Sequence, residues 1–156
     1  MRIGRILLTA AAALTCGGAI AQAPAGNAAD QTYRDIEATL GIVPGLFRQF
    51  PEAGLPGAWE SFKRVQVAED TALNPKVKQL IGLAVSAQVP CSYCIYFHTE
   101  VAKAYGATPE EIKEAVALAA ITRHWSTVLN GMSIDMAAFR NDVDTSLRMA
   151  AERARK

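Results

Sequence analysis

A chain of 156 residues is enough for one domain and short for two. With 16 Lys and Arg against 15 Asp and Glu its formal net charge is +1, and no local basic run marks a nucleic-acid surface. A hydrophobic fraction of 51% excludes disorder as the main state, and three cysteines are too few for a disulfide scaffold.

The N-terminus reads as a secretory signal peptide over residues 1–21. Arg2 and Arg5 precede the apolar run Ile6–Leu14, and Ala19-Ile20-Ala21 fits an A-x-A cleavage site. Cleavage at Ala21 is preferred to cleavage after Ala23, where Pro24 would follow the cut. The apolar run falls short of the roughly 20 residues of a membrane span. Thr15 before Cys16 is a poor match to a lipoprotein site. Removing residues 1–21 takes the net charge from +1 to −1 and leaves Cys91 and Cys94 as the only cysteines. The expected location is periplasmic or secreted, with no membrane association after cleavage, a compartment in which disulfides persist.

Beyond the signal the pattern predicts an all-α fold. Residues 22–31 are rich in Ala, Gly, Asn and Gln and read as a flexible lead-in to a single domain over 32–156. A short helix is predicted over 32–40. Pro44, Gly45, Pro51 and Gly54 then predict irregular turns, and 58–67 reads helical. Asn74-Pro75 is an N-cap followed by proline at the first helical position. The apolar positions Val77, Leu80, Ile81, Ala84 and Val85 continue that helix until Pro90 breaks it. A second helix is predicted from about Cys91 to Tyr105, stopped by Gly106. Thr108-Pro109-Glu110-Glu111 is a capping box that opens a helix reaching about Gly131. Within it, 115–121 is apolar all round, as in a helix buried in a core or in an oligomer interface. Met136, Phe139, Val143 and Leu147 give the last helix an apolar stripe.

The chemistry is concentrated at Cys91-Ser92-Tyr93-Cys94-Ile95-Tyr96-Phe97-His98, a C-x-x-C-x-x-x-H pattern opening a helix. Cys91 and Cys94 are three apart and can close a small ring. Cys94 and His98 are four apart, so imidazole and sulfur share a helix face. The helix N-terminus and a neighbouring base both favour a thiolate, and the second thiol can form a disulfide with it. A structural disulfide is the plainer reading of two cysteines, but so small a loop removes little unfolded-state entropy. Zinc is the other alternative, since the motif supplies three ligands and His124 is the only further histidine. His124 beside Trp125 reads better as a packed or surface residue. Tyr93, Tyr96 and Phe97 are expected as core and pocket wall.

The segment Val77–Ala87, the cysteine motif, and Gly106-Ala107-Thr108-Pro109-Glu110-Glu111-Ile112-Lys113-Glu114-Ala115, in that order, resemble the carboxymuconolactone decarboxylase superfamily. Within it they resemble the alkyl hydroperoxidase D-like branch, over about residues 75–131. The resemblance implies an all-α homo-oligomer, commonly a trimer or hexamer, with thiol-dependent peroxidase activity and no haem or metal cofactor. Its substrate would be a hydroperoxide and its reductant an external dithiol. It implies Cys94 as the attacking thiol, Cys91 as the resolving thiol and His98 as the base, which agrees with the spacing of Cys94 and His98. The relay position, a Glu in the branch, falls here on Gln79, and the position of a second His between the cysteines is Tyr93. A helix hairpin around Pro90 would bring Gln79 level with residues 98–100. Three alternatives remain: a dithiol–disulfide oxidoreductase with no peroxide step, a carboxymuconolactone decarboxylase-like enzyme, and a non-catalytic oligomeric binding protein.

Overall fold

The computed structural model describes residues 25–155. The expected signal peptide at 1–21, with Cys16, lies outside the described residues. All regular elements among the described residues are helical, so the all-α fold is as expected. They form two compact units, one up to Glu60 and one from Ser61 on, and the division falls inside the span 32–156 read above as one domain.

The first unit contains α1 (Ala25–Leu40), α2 (Gly45–Arg48) and most of α3 (Leu55–Ser61). Helix α1 begins at Ala25 rather than Thr32, so residues 25–31 of the flexible lead-in predicted for 22–31 are helical. Composition misled there. Ala29, Thr32 and Ile36 recur at helical spacing, and all three are buried. The Trp59 indole N–H donates to Asp35 Oδ2 at 2.5 Å, and Phe47 meets Trp59 edge to face at 5.3 Å.

The second unit contains a π-helix (Phe62–Val67), α4 (Pro75–Gln88), α5 (Ser92–Ala104), α6 (Pro109–Gly131) and α7 (Met136–Arg153). The caps explain the boundaries. Asn74 Oδ1 accepts from Val77 N at 2.9 Å at the head of α4. The Cys91 N–H bonds back to the Ser86 carbonyl at 3.1 Å and closes its end. Just past the end of helix α5, Gly106 has φ +78, and there Ala107 N bonds to Ala102 O at 2.9 Å and Gly106 N to Lys103 O at 2.9 Å. Those are the paired bonds of a glycine C-cap. Both halves of the capping box are formed at α6: Glu111 N donates to Thr108 Oγ1 at 3.1 Å and Thr108 N to Glu111 Oε2 at 2.8 Å.

Helix α4 is the centre of this unit, with α5 and α6 packed on it. Lys76 Nζ pairs with Glu111 Oε1 at 2.6 Å near the start of α4 and α6, and Gln88 Nε2 donates to Ala119 O at 2.9 Å further along. The two helices therefore run in the same direction. Helix α5 returns antiparallel to α4. The segment 115–121 is not buried within the chain: Val116, Leu118 and Ile121 are exposed, Ala115 is half-buried and only Ala119 is buried. Of its two expected settings, the core of the chain is thereby ruled out. No residue of α7 is buried either.

Candidate active site

The α4–α5 hairpin brings together residues that the sequence separates. Cys91 is the N-cap of α5, where its Sγ accepts from Cys94 N at 3.2 Å, and the two cysteines are joined as a disulfide. One helical turn later His98 meets α4. Its Nδ1 lies 2.8 Å from Gln79 Oε1. Gln79 is 2% exposed, so it does not belong to a solvated face. With the Gln79 carbonyl oxygen facing it, Nδ1 is placed to carry the proton and donate, which would leave Nε2 with its lone pair.

Burial pushes the His98 pKa below its ordinary value. A carboxylate at the Gln79 position would oppose that shift, whereas a neutral amide does not. That favours the neutral imidazole, a form able to accept a proton at its bare ring nitrogen.

Two further residues shape the site that sequence reasoning did not single out for it. A Cβ at Gly82 would overlap Cε1, Nδ1 and Nε2 of His98, so the ring lies directly on the α4 backbone at its one glycine. A glycine in the middle of a helix costs about 1 kcal/mol relative to Ala, which was the available signal. Gln66, on the π-helix, donates from Nε2 to Gln79 Oε1 at 3.0 Å. The segment 58–67 reads helical in sequence, but no local pattern pairs Gln66 with Gln79. Phe97 packs edge-on to His98 at 5.1 Å and lies 6.2 Å from Phe62.

Cys94 and His98 line a cavity of about 410 Å3. Val65, Leu73, Ile81, Val85 and Val89 supply its apolar wall, and Lys78 also lines it, with Nζ donating to the Ala68 carbonyl at 2.6 Å. Cys91 does not line this cavity. Tyr93 and Tyr96 correct the expectation of core and pocket wall: they are 87% and 72% exposed, and neither lines this cavity. Among the described residues, no group of three His, Cys, Asp or Glu side chains is placed to hold a metal. His124 is exposed on α6 against Trp125, at 5.4 Å between rings.

A helical hairpin with C-x-x-C at its turn and a parallel capped helix beside it matches known proteins. The model of the carboxymuconolactone decarboxylase family matches residues 53–135, more than half of the chain. The chain belongs to the carboxymuconolactone decarboxylase family. The crystal structure of an alkylhydroperoxidase AhpD core from Rhodospirillum rubrum is similar, with a TM-score of 0.64 and 33% identity. The match covers 72% of this chain and 86% of that one. An uncharacterised protein of Cupriavidus necator is 37% identical over 75 residues, 46% of this chain and 66% of that protein. The uncharacterised protein 4 in the cox locus of Paracoccus denitrificans is 39% identical over 71 residues, 46% of this chain and 63% of that protein. The chain thus spans just under two thirds of the length of these curated relatives. The family includes decarboxylases as well as hydroperoxidase-like members.

Proposed function

We propose that the protein is a thiol-dependent peroxidase, exported with Gln22 as its mature N-terminus. The observation that carries this reading is the asymmetry of the two thiols. Cys94 shares an apolar cavity with His98, while Cys91 caps the helix outside it. The likeness to an alkylhydroperoxidase core, with the cysteine pair in the same chain, supports it further.

In the reduced protein His98 Nε2 takes the proton of the Cys94 thiol. The thiolate attacks the distal oxygen of a hydroperoxide and the O–O bond breaks. Cys94 becomes a sulfenic acid, and the proton on His98 goes to the departing alkoxide to give an alcohol. The Cys91 thiol then displaces hydroxide from the sulfenic sulfur, releasing water and leaving the Cys91–Cys94 disulfide. An external dithiol restores both thiols by exchange and is itself oxidised.

Mixing the reduced protein with an organic hydroperoxide tests this directly. One equivalent of peroxide should vanish for each pair of thiols lost, and neither Cys94→Ser nor Cys91→Ser should turn over. Loss of thiols to an added disulfide with peroxide untouched would replace this reading by plain dithiol exchange. Decarboxylation of a muconolactone substrate that survives Cys94→Ser would replace it by the decarboxylase reading. Intact mass of the exported protein checks the N-terminus, since retention of residues 1–21 or a lipid on Cys16 contradicts the proposed cleavage.

A further inference from the structure

Gln79 Oε1 is the meeting point of two hydrogen bonds, from Gln66 Nε2 at 3.0 Å and from His98 Nδ1 at 2.8 Å. An amide can meet two neighbours in either of two ways. With its oxygen inward it accepts from both. With its NH2 inward it donates to both, and His98 must then present a bare Nδ1 and carry its proton on Nε2. The second arrangement removes the lone pair from the nitrogen that faces away from Gln79. Which of the two holds is decided by whether the third member, residue 66, donates or accepts.

We propose that Gln66 is a positioning residue: its donated hydrogen bond fixes the buried Gln79 amide oxygen-inward and so sets the neutral tautomer of His98 as Nδ1–H with a free Nε2. The backbone around Gln66 is built to hold it there. The segment Phe62–Val67 is π-helical, with Ala68 N bonded to Lys63 O at 2.8 Å, five residues back. Such a wide turn rotates the following residues relative to an α-helix and is often found at functional sites. Its end is tied to α4 a second time, where Lys78 Nζ holds the Ala68 carbonyl at 2.6 Å. Gln66 and Ala68 are therefore anchored to the adjacent α4 residues Gln79 and Lys78. With no side chain at residue 82, the imidazole lies directly on the α4 backbone, within reach of whichever group Gln79 presents.

The tautomer stands independently of the reaction, while its effect on Cys94 rests on the peroxidase reading. The test is nitrogen NMR of the protein with 15N-labelled histidine, recorded above the imidazole titration, with His124 identified by His124→Gln. His98 should appear as the Nδ1–H tautomer. Gln66→Glu, which can only accept, should turn the amide and convert His98 to Nε2–H. Gln66→Leu, which removes the donor and adds no acceptor, should give a mixture and serves if the Glu variant does not fold. An Nε2–H signal in the unsubstituted protein, or an unchanged Nδ1–H signal in a folded variant, overturns the inference. In a Cys91→Ser background, Gln66→Glu should slow alkylation of Cys94 by about tenfold or more, as expected when a general base is lost. A switched tautomer with an unchanged alkylation rate upholds the positioning role of Gln66 and instead removes His98 as the base.

Discussion

The imidazole of His98 occupies the space that a side chain at residue 82 would need. Gly82→Ala sets two magnitudes against each other. Helix propensity favours Ala by about 1 kcal/mol. Forcing a methyl group into a filled site costs typically about 1–3 kcal/mol, and the ring cannot yield as the end of a long flexible chain would. The expected outcome is a net loss of stability in urea unfolding together with slower alkylation of Cys94. A gain of about 1 kcal/mol would mean that His98 does not lie on Gly82. Gln79→Glu tests the same site through charge. The His98 pKa is now lowered by burial. Between that depressed value and the ordinary 6.5, the unfolded chain binds a proton that the folded chain does not. Stability therefore rises with pH through that window, is fully present above 6.5, and falls away as pH drops through the folded pKa. A carboxylate at residue 79 favours the imidazolium and raises this pKa. The variant should flatten or reverse that slope, and should speed thiolate formation at Cys94 by roughly tenfold. An NMR titration of His98 and the pH dependence of Cys94 alkylation in Cys91→Ser read both. If neither moves, the Gln79–His98 contact does not govern the base.

Helix α5 begins on a residue that also belongs to the redox pair. The Cys91 Sγ accepts from Cys94 N, so a substitution there changes a cap as well as a thiol. Cys91→Ser keeps an acceptor at the N-cap, whereas Cys91→Ala loses it at a cost of typically about 1 kcal/mol. Both variants lack the disulfide, so their difference in urea midpoint isolates the cap. Both should trap Cys94 as a sulfenic acid with peroxide, and Cys94→Ser should not. Trapping at Cys91 in Cys94→Ser would reverse the roles. The same helix shows how far the elements could be read from sequence. The starts of α4 and α6 were legible because Asn74-Pro75 and the Thr108–Glu111 box are local signals whose bonds form within one turn. The start of α1 was not, because Ala29, Thr32 and Ile36 sit in a segment whose composition resembles a linker. The π-helix was not legible either, since apolar residues at three- and four-residue spacing fit an α-helix equally well. The contact of His98 with Gln79 depended on the family's pattern, because no local rule links residues 19 positions apart. The place of Gln66 in it required three-dimensional register.

At the scale of the molecule the largest unresolved term is apolar surface. On α6, Leu118, Ile121 and Trp125 are 62%, 54% and 55% exposed, and their spacing of three and four places them along one side. On α7, Met136 and Leu147 are 58% and 65% exposed, with Phe139 and Val143 between them on the same stripe. Beside α6 runs a groove of about 430 Å3 whose walls include Ala84, Val85, Leu118 and Ala119, with no cysteine or histidine among them. Soluble monomers rarely leave contiguous apolar surface of more than a few hundred Å2 uncovered. No described helix is long and apolar enough to cross a membrane. An isologous or ring-forming contact between copies of the chain would cover such faces at no cost in new sequence. We therefore expect a homo-oligomer, a trimer or hexamer by the family resemblance, rather than a particle of 16.7 kDa or less. Light scattering at micromolar concentration measures this, and a monomer mass would count decisively against it. Leu118→Lys should shift the mass toward the monomer, because a buried, unpaired ammonium disfavours association strongly. Its Cys94 environment within the chain is built from α4, α5 and the π-helix, so the dissociated variant should keep the His98 NMR signature of the parent. Loss of that signature on dissociation would show that a neighbouring copy completes the site.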